Sequence, residues 1–222
     1  MNEIPVPFRA PKRLREEAPT AKGRNTQARI LEAGRAVIEE RGYFDASVTD
    51  ITERSDVALG TFYRYFENKD VLFLRLLETL VTDLYESVSG SWGKEDEMEN
   101  LRNSSLRYLT AYYANRKLIA AMIQMSGAVP ACAALWWALR KRTYDRMKRY
   151  LAASKITHQL DPELTATALG SMVEQFAYYW YVEAERNGKP VPKLEEAADV
   201  LCQIWYRAVY ENNSAKTERR KP

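Results

Sequence analysis

The chain has 222 residues, 46% hydrophobic and 28% charged, with a formal net charge of +3. That is enough apolar content for a core in one or two domains, and the charged fraction is that of an ordinary soluble protein. The charge is too near balance to point to nucleic acid by itself, so such a partner must be read from where the basic residues stand. Residues 1–24 form the first segment, expected as a disordered basic arm: Pro5, Pro7, Pro11 and Pro19 discourage regular structure, and Lys12, Arg13, Arg15, Lys22 and Arg24 carry the charge. Two readings stay open for it, a solvated tail or an arm that follows DNA phosphates. A first helix is predicted from about Thr26 to Arg41, with Asn25 as its cap and Gly42 as its stop. Its stripe of Ile30, Gly34, Val37 and Ile38 makes a floor for the next pair of helices, and Arg29 can meet either a phosphate or water.

Residues 47–69 read as two short helices joined by a tight turn. Ser47 can cap the first, and Asp50 three residues on can reach back to it. Val48 and Ile51 share a buried face, and the helix stops near Ser55. Asp56 stands at the turn, where a left-handed backbone is tolerated better by Asp than by most residues. The second helix runs from about Leu59 to Phe66, with Phe62 and Phe66 buried together one turn apart. Thr61, Tyr63, Arg64 and Tyr65 then lie on or beside the outer surface, and Gly60 lets backbone approach a phosphate. From spacing alone this is either a DNA-reading unit or an ordinary helical hairpin with a solvated face.

Gly42-Tyr43-Phe44, Ser47-Val48-Thr49-Asp50-Ile51 and above all the run from Gly60 to Lys69 closely resemble the DNA-binding domain of the tetracycline-repressor-like (TetR) family. The resemblance covers roughly residues 25–75. It implies a helix-turn-helix domain over 25–68 whose contact set is Thr49, Gly60, Thr61, Tyr63, Arg64, Tyr65 and Lys69. Of these, Thr61 and Arg64 are the better base readers, while Thr49, Tyr63, Tyr65 and Lys69 suit phosphates. The chain departs from the family pattern at Asp56, where a turn glycine is usual, and at Leu59, where a small, polar or basic residue is frequent. Leu59 has neither charge nor hydroxyl, and instead suits a thymine methyl.

Beyond it, 69–210 is expected to form a helical effector-binding and dimerisation domain, and 211–222 a disordered tail. Asn68 caps a long helix from Lys69 to about Ser89, whose Phe73, Leu76, Leu77, Leu80, Val81, Leu84 and Val88 keep a 3.6-residue period. Helices are also predicted over about 96–114, 117–125, 131–154, 162–186 and 194–210, so the fold class is all-α. The aromatic and methionine residues Tyr108, Tyr112, Met122, Met125, Trp136, Trp137, Phe176, Tyr179 and Trp180 are individually ordinary core, but together suit a cavity for an apolar or aromatic ligand. The resemblance implies an effector in this domain. The run Arg140-Lys141-Arg142, continuing to Arg146, Lys148 and Arg149, reads either as a solvated face or as a basic mouth for an anionic effector. Extra apolar side chains on the last two helices, Tyr178, Tyr181, Ile204 and Tyr206, point to a partner surface. The resemblance implies a homodimer through those two helices.

The chemistry argues against an enzyme. His158 is the sole histidine, Cys132 and Cys202 belong to no Cys or Cys/His pair, and no Gly-rich phosphate loop or metal-ligand set occurs, so neither cofactor nor metal is expected. The N-terminal residues lack an apolar signal core, and the expected location is cytoplasmic. The expected function is therefore a ligand-responsive transcriptional regulator, most simply a repressor released from a palindromic operator by a small molecule. The alternatives are a helical small-molecule binder that no longer reads DNA, and a cofactor-free helical enzyme. Effector, operator sequence and regulated genes are not written in the chain.

Overall fold

The computed structural model describes residues 20–88, 97–153 and 160–209. Every regular element among them is helical: α1 (Ala21–Arg41), α2 (Val48–Ser55), α3 (Leu59–Tyr65), α4 (Lys69–Ser87), α5 (Glu97–Ser126), α6 (Pro130–Ala153), α7 (Pro162–Tyr178) with a π-helical turn (Tyr179–Ala184), and α8 (Leu194–Val209). The all-α expectation holds. α1 begins at Ala21 rather than Thr26, because the Thr20 hydroxyl accepts from the Gly23 N–H at 3.1 Å and Asn25 lies inside the helix. Residues 21–24 of the arm expected over 1–24, Lys22 and Arg24 among them, therefore belong to α1. The arm's residues 1–19, like the expected tail over 211–222, lie outside the described residues. α5 does not break at Asn115: that side chain is buried and donates to the Ala111 carbonyl at 2.8 Å, closing a turn of the same helix.

The chain divides into two compact units, residues up to Val81 with Lys117–Trp136, and Thr82–Arg116 with Trp137 onward. The first unit includes the start of α4 and the middle of the chain, where a boundary at 68/69 was expected. Its core joins Ile30, Val37 and Ile38 of α1 with Ile51, Phe62, Phe66, Leu72, Phe73 and Leu77. Gly34 makes the close approach of α1 and α4 possible, since a Cβ there would lie 2.6 Å from Leu72 Cδ2. Leu118, Ile119, Met122, Met125 and Cys132 are also buried in this unit.

In the second unit, Leu101, Met147, Leu151, Ala166, Leu169, Cys202, Trp205 and Val209 form one apolar cluster, so α5, α6, α7 and α8 share a core. Ion pairs add to this: Arg102 of α5 with Asp199 of α8, and Arg116 of α5 with both oxygens of Glu185, just past the π-helical turn, at 2.5 and 2.8 Å. The π-helical turn adds a residue to α7's register and turns Tyr181 inward, edge-on to Tyr113.

Candidate DNA interface and effector cavity

The turn between α2 and α3 is built by local chemistry. Ser47 and Asp50 form the reciprocal capping box, with Asp50 N–H to Ser47 Oγ at 3.1 Å and Ser47 N–H to Asp50 Oδ2 at 3.0 Å. Asp56 adopts the left-handed conformation (φ 49°, ψ 54°), and Val57 N–H closes the turn on the Thr52 carbonyl at 3.1 Å. Asp56→Ala is expected to cost about 1 kcal/mol in the melting of this unit, because a plain Cβ is disfavoured at positive φ, whereas Asp56→Gly is not. Arg29 of α1 holds the turn from below. Its guanidinium donates to the Ser55 carbonyl at 2.5 Å and to that of Asp56 at 3.4 Å, which makes it a clamp on the end of α2.

This framework presents one face of α3. Phe62 and Phe66 are fully buried against the core, while Leu59, Gly60, Tyr63 and Arg64 are exposed and Thr61 and Tyr65 are half-buried. Thr49 is exposed near the start of α2. Leu59 is 50% exposed, a large apolar side chain left in water on the same short helix as Arg64. Nothing lies within 4 Å of where a Cβ on Gly60 would stand, so the backbone there is open to approach.

Lys69 is placed differently from the expectation. Its ammonium points inward and donates to the carbonyls of Tyr43 (2.7 Å), Phe44 (3.3 Å) and Ala46 (2.6 Å), and it stands 4.6 Å from the Tyr43 ring centroid. An ammonium has three donors, and all are committed. Burial holds its pKa below the ordinary lysine value, partly offset by Asp70 and Asp45. Tyr43 is in turn buried, and its hydroxyl donates to Asp70, so burial and the neighbouring carboxylate push the phenol's pKa up. Lys69 thus pins the loop between α1 and α2 to the start of α4.

The second unit contains a cavity of about 360 Å³. Its walls are mostly apolar, from Val88, Leu101, Leu139, Met147, Val173 and Trp205. Tyr108 lines it, stacked at a tilt on the buried Tyr112. The other aromatic and methionine candidates do not. Met122 and Met125 are packing residues of the first unit, and Trp136 belongs to that unit too. Trp137 is 65% exposed, Tyr179 is exposed, and Phe176 and Trp180 pack near one another, half-buried. Large side chains at helical spacing here divide between core, half-buried packing and surface.

The polar part of the cavity centres on Glu174, which sequence reasoning missed. Its Oε2 accepts from Arg140 Nε at 2.7 Å and its Oε1 from the Tyr144 hydroxyl at 3.1 Å. Burial raises its pKa, opposed by Arg140 and Tyr144. A signal for it existed: Glu174 stands at helical spacing from Ala166, Gly170 and Ala177, on the small-residue side of α7 that faces inward. Gly170 is needed there, because a Cβ would lie 2.4 Å from the Tyr144 ring. Gly170→Ala is expected to displace Tyr144 and cost about 1–3 kcal/mol by overpacking, read as a lowered melting temperature. Arg140 is thus paired with Glu174, and Arg142 stacks 4.0 Å over Tyr85. Arg146 and Arg149 of the same basic run line the cavity.

Among the described residues no group of His, Cys, Asp or Glu could hold a metal ion, and no single helix is long and apolar enough to cross a membrane. His158 lies outside the described residues.

Residues 30–76 match the sequence model of the bacterial regulatory proteins, tetR family. The chain is 23% identical over 163 residues to the uncharacterized HTH-type transcriptional regulator YvdT of Bacillus subtilis, a match that covers 72% of this chain and 84% of that protein. It is 23% identical over 200 residues to the HTH-type transcriptional regulator EthR of Mycobacterium tuberculosis, covering 86% and 90%. The crystal structure of a transcriptional regulator from Rhodococcus sp. Rha1 superposes with a TM-score of 0.68 at 22% identity, over 82% of this chain and 97% of that one, a likeness of fold.

Proposed function

We propose, on the premise that the chain belongs through residues 30–76 to the tetR family of bacterial regulatory proteins, that it is a DNA-binding transcriptional regulator released from its operator by a small, largely apolar effector. The observation that carries the DNA half is the exposed face of α3, set on a turn held by the capping box, the left-handed Asp56 and the Arg29 clamp. Arg64 and Thr61 read base edges, Leu59 meets a thymine methyl, and Tyr63, Tyr65 and Thr49 anchor phosphates. Gly60 gives the backbone room to approach. Lys69 acts from within, by holding the loop over Tyr43–Ala46, rather than as a phosphate contact.

The active form is a homodimer through α7 and α8. Leu164, Ala168, Gln175 and Tyr179 share the outer side of α7, and Glu196, Val200, Gln203, Ile204 and Arg207 that of α8; all are exposed. Leu164 is 72% exposed and Val200 50%, which is costly surface for a monomer. Tyr181, one of the residues expected on this surface, is instead core, and Tyr206 packs against the α5–α8 cluster. A two-fold dimer offers two α3 helices to successive major grooves of a near-palindromic operator.

The protein works in the cytoplasm as a repressor, since occupying a promoter blocks it without any contact to polymerase. The effector enters the cavity lined by Tyr108 and Glu174 and shifts the population away from the DNA-competent state. α4, which begins at Lys69 in one unit and ends at Ser87 in the other, carries the coupling. Catalysis has no part in this function.

The test is salt-dependent binding to DNA from the protein's own promoter region, followed by fluorescence anisotropy. Arg64→Ala is expected to weaken it by about ten-fold or more, from a loss of roughly 1–3 kcal/mol at one base position. Tyr63→Ala weakens it more evenly across sequences and leaves the melting temperature alone, because Tyr63 is 47% exposed. Specific binding that survives both substitutions would show that α3 does not read DNA.

A further inference from the structure

The cavity of the second unit combines an apolar body with a few polar groups at its wall. The Tyr108 and Ser105 hydroxyls line it and have no hydrogen-bond partner among the described residues. Glu174 lines it too, with its side chain only 13% exposed. Each of its oxygens already accepts one bond, from Arg140 or from Tyr144, and each keeps room for another. Ser104 Oγ already accepts from Arg107, and the Thr143 hydroxyl already donates to the Leu139 carbonyl. The cavity therefore offers hydroxyls that can donate or accept and a carboxylate that can only accept while it is ionised.

A ligand's polar group must answer both. A hydroxyl does: its proton goes to Glu174 and its oxygen accepts from Tyr108 or Ser105. A carboxylate cannot donate to Glu174, and would place a second negative charge beside a buried one. A bare hydrocarbon leaves Glu174 with unfilled acceptor sites out of water, which costs free energy that a donor would recover. Arg146 and Arg149 are the groups that could draw an acid. Arg149 is exposed, so water screens its charge, and Arg146 is half-buried, whereas the Glu174 side chain is only 13% exposed. At about 360 Å³ the space lies at the small end for ligand pockets, which run from about 300 to 1,000 Å³.

We propose that this cavity selects an uncharged, compact, mostly apolar molecule carrying one hydroxyl, a phenol or alcohol, which donates to Glu174 and accepts from Tyr108 or Ser105. The inference rests on the effector-binding reading of the second unit and narrows the basic-mouth alternative: Arg140, placed at that mouth by sequence order, serves to hold Glu174.

Three probes with one body separate the chemistries: 4-phenylphenol, biphenyl-4-carboxylate and biphenyl, titrated into the full chain by calorimetry and by the fluorescence of the tryptophans, of which Trp205 lines the cavity. The phenol is expected to bind at least ten-fold tighter than either of the others. Tyr108→Phe removes a hydroxyl that holds nothing in the protein, so the fold is kept, and it should lower phenol affinity several-fold while leaving biphenyl affinity alone. Glu174→Gln should shrink the preference for the phenol over the carboxylate. Equal or tighter binding of the carboxylate overturns the proposal, as does a Tyr108→Phe variant with unchanged phenol affinity. Failure of all three probes to bind counts against the effector-binding reading as well. If the phenol binds as expected but does not release operator DNA, the ligand class stands and the regulatory reading falls.

Discussion

Lys69→Ala is expected to lower the stability of the unit that holds α3 by about 2–4 kcal/mol, because it removes three charge-assisted bonds and leaves half-buried carbonyls without donors. In a unit of this size that corresponds to a fall of about 10 °C or more in melting temperature. The same substitution is expected to leave the slope of operator affinity against salt unchanged once the comparison is made at a temperature where the variant is folded. A lysine on a phosphate gives the opposite pattern, a slope reduced by about one ion and a melting temperature unmoved. The two patterns are distinct, so a single variant decides between a clamp and a contact. Arg64→Ala serves as the reference for a surface cation on α3. Lys69→Met, which keeps the stem over Tyr43 but drops the charge, should recover little of the loss, because it is the ammonium's donors that the carbonyls require. A Lys69→Ala protein that melts with the parent and loses one ion of salt slope would restore Lys69 to the DNA surface.

How much of the fold and of the site was legible in the sequence depends on the range of the interaction. The capping box of Ser47 and Asp50, the turn at Asp56 and the buried pair Phe62 and Phe66 are set by neighbours within a few positions, and each is where local chemistry puts it. The all-helical layout comes from periodicity in the same way. Arg29 and Lys69 could not be read so. Their partners are carbonyls more than twenty positions away, and a carbonyl leaves no mark on sequence. A motif gives a position its residue type but not the direction in which that side chain points. The cavity was illegible for a related reason. Bulky side chains at helical spacing look alike whether they fill a core or border a space, and the aromatic candidates went mostly to core or surface. What borders the space is a tyrosine ring let in close by Gly170 and a carboxylate that pairs with Arg140, 34 positions earlier. Neither is visible until α6 and α7 are laid side by side.

The largest effect on function should come from a residue that touches neither DNA nor ligand. Ile204→Glu is expected to convert the protein to a monomer and to reduce apparent operator affinity by about 10²–10⁴-fold. Ile204 is 44% exposed in the single chain and shares the outer side of α8 with Val200. A glutamate there costs the isolated chain little, but in a two-fold interface it appears twice, once from each subunit, on apolar surface that has lost its water. The loss of affinity does not come from any change at α3. Two linked heads bind a duplex with the second binding event made intramolecular, and a monomer forfeits that gain. The control is Leu201→Glu, whose position is fully buried, and which should unfold the second unit rather than split a dimer. Sedimentation gives the mass, circular dichroism the helical content, and anisotropy the affinity. A folded Ile204→Glu monomer that keeps the parent's operator affinity would place the pairing surface elsewhere, or make one head sufficient. A dimer that persists through Ile204→Glu and Val200→Glu together would remove α8 from the interface.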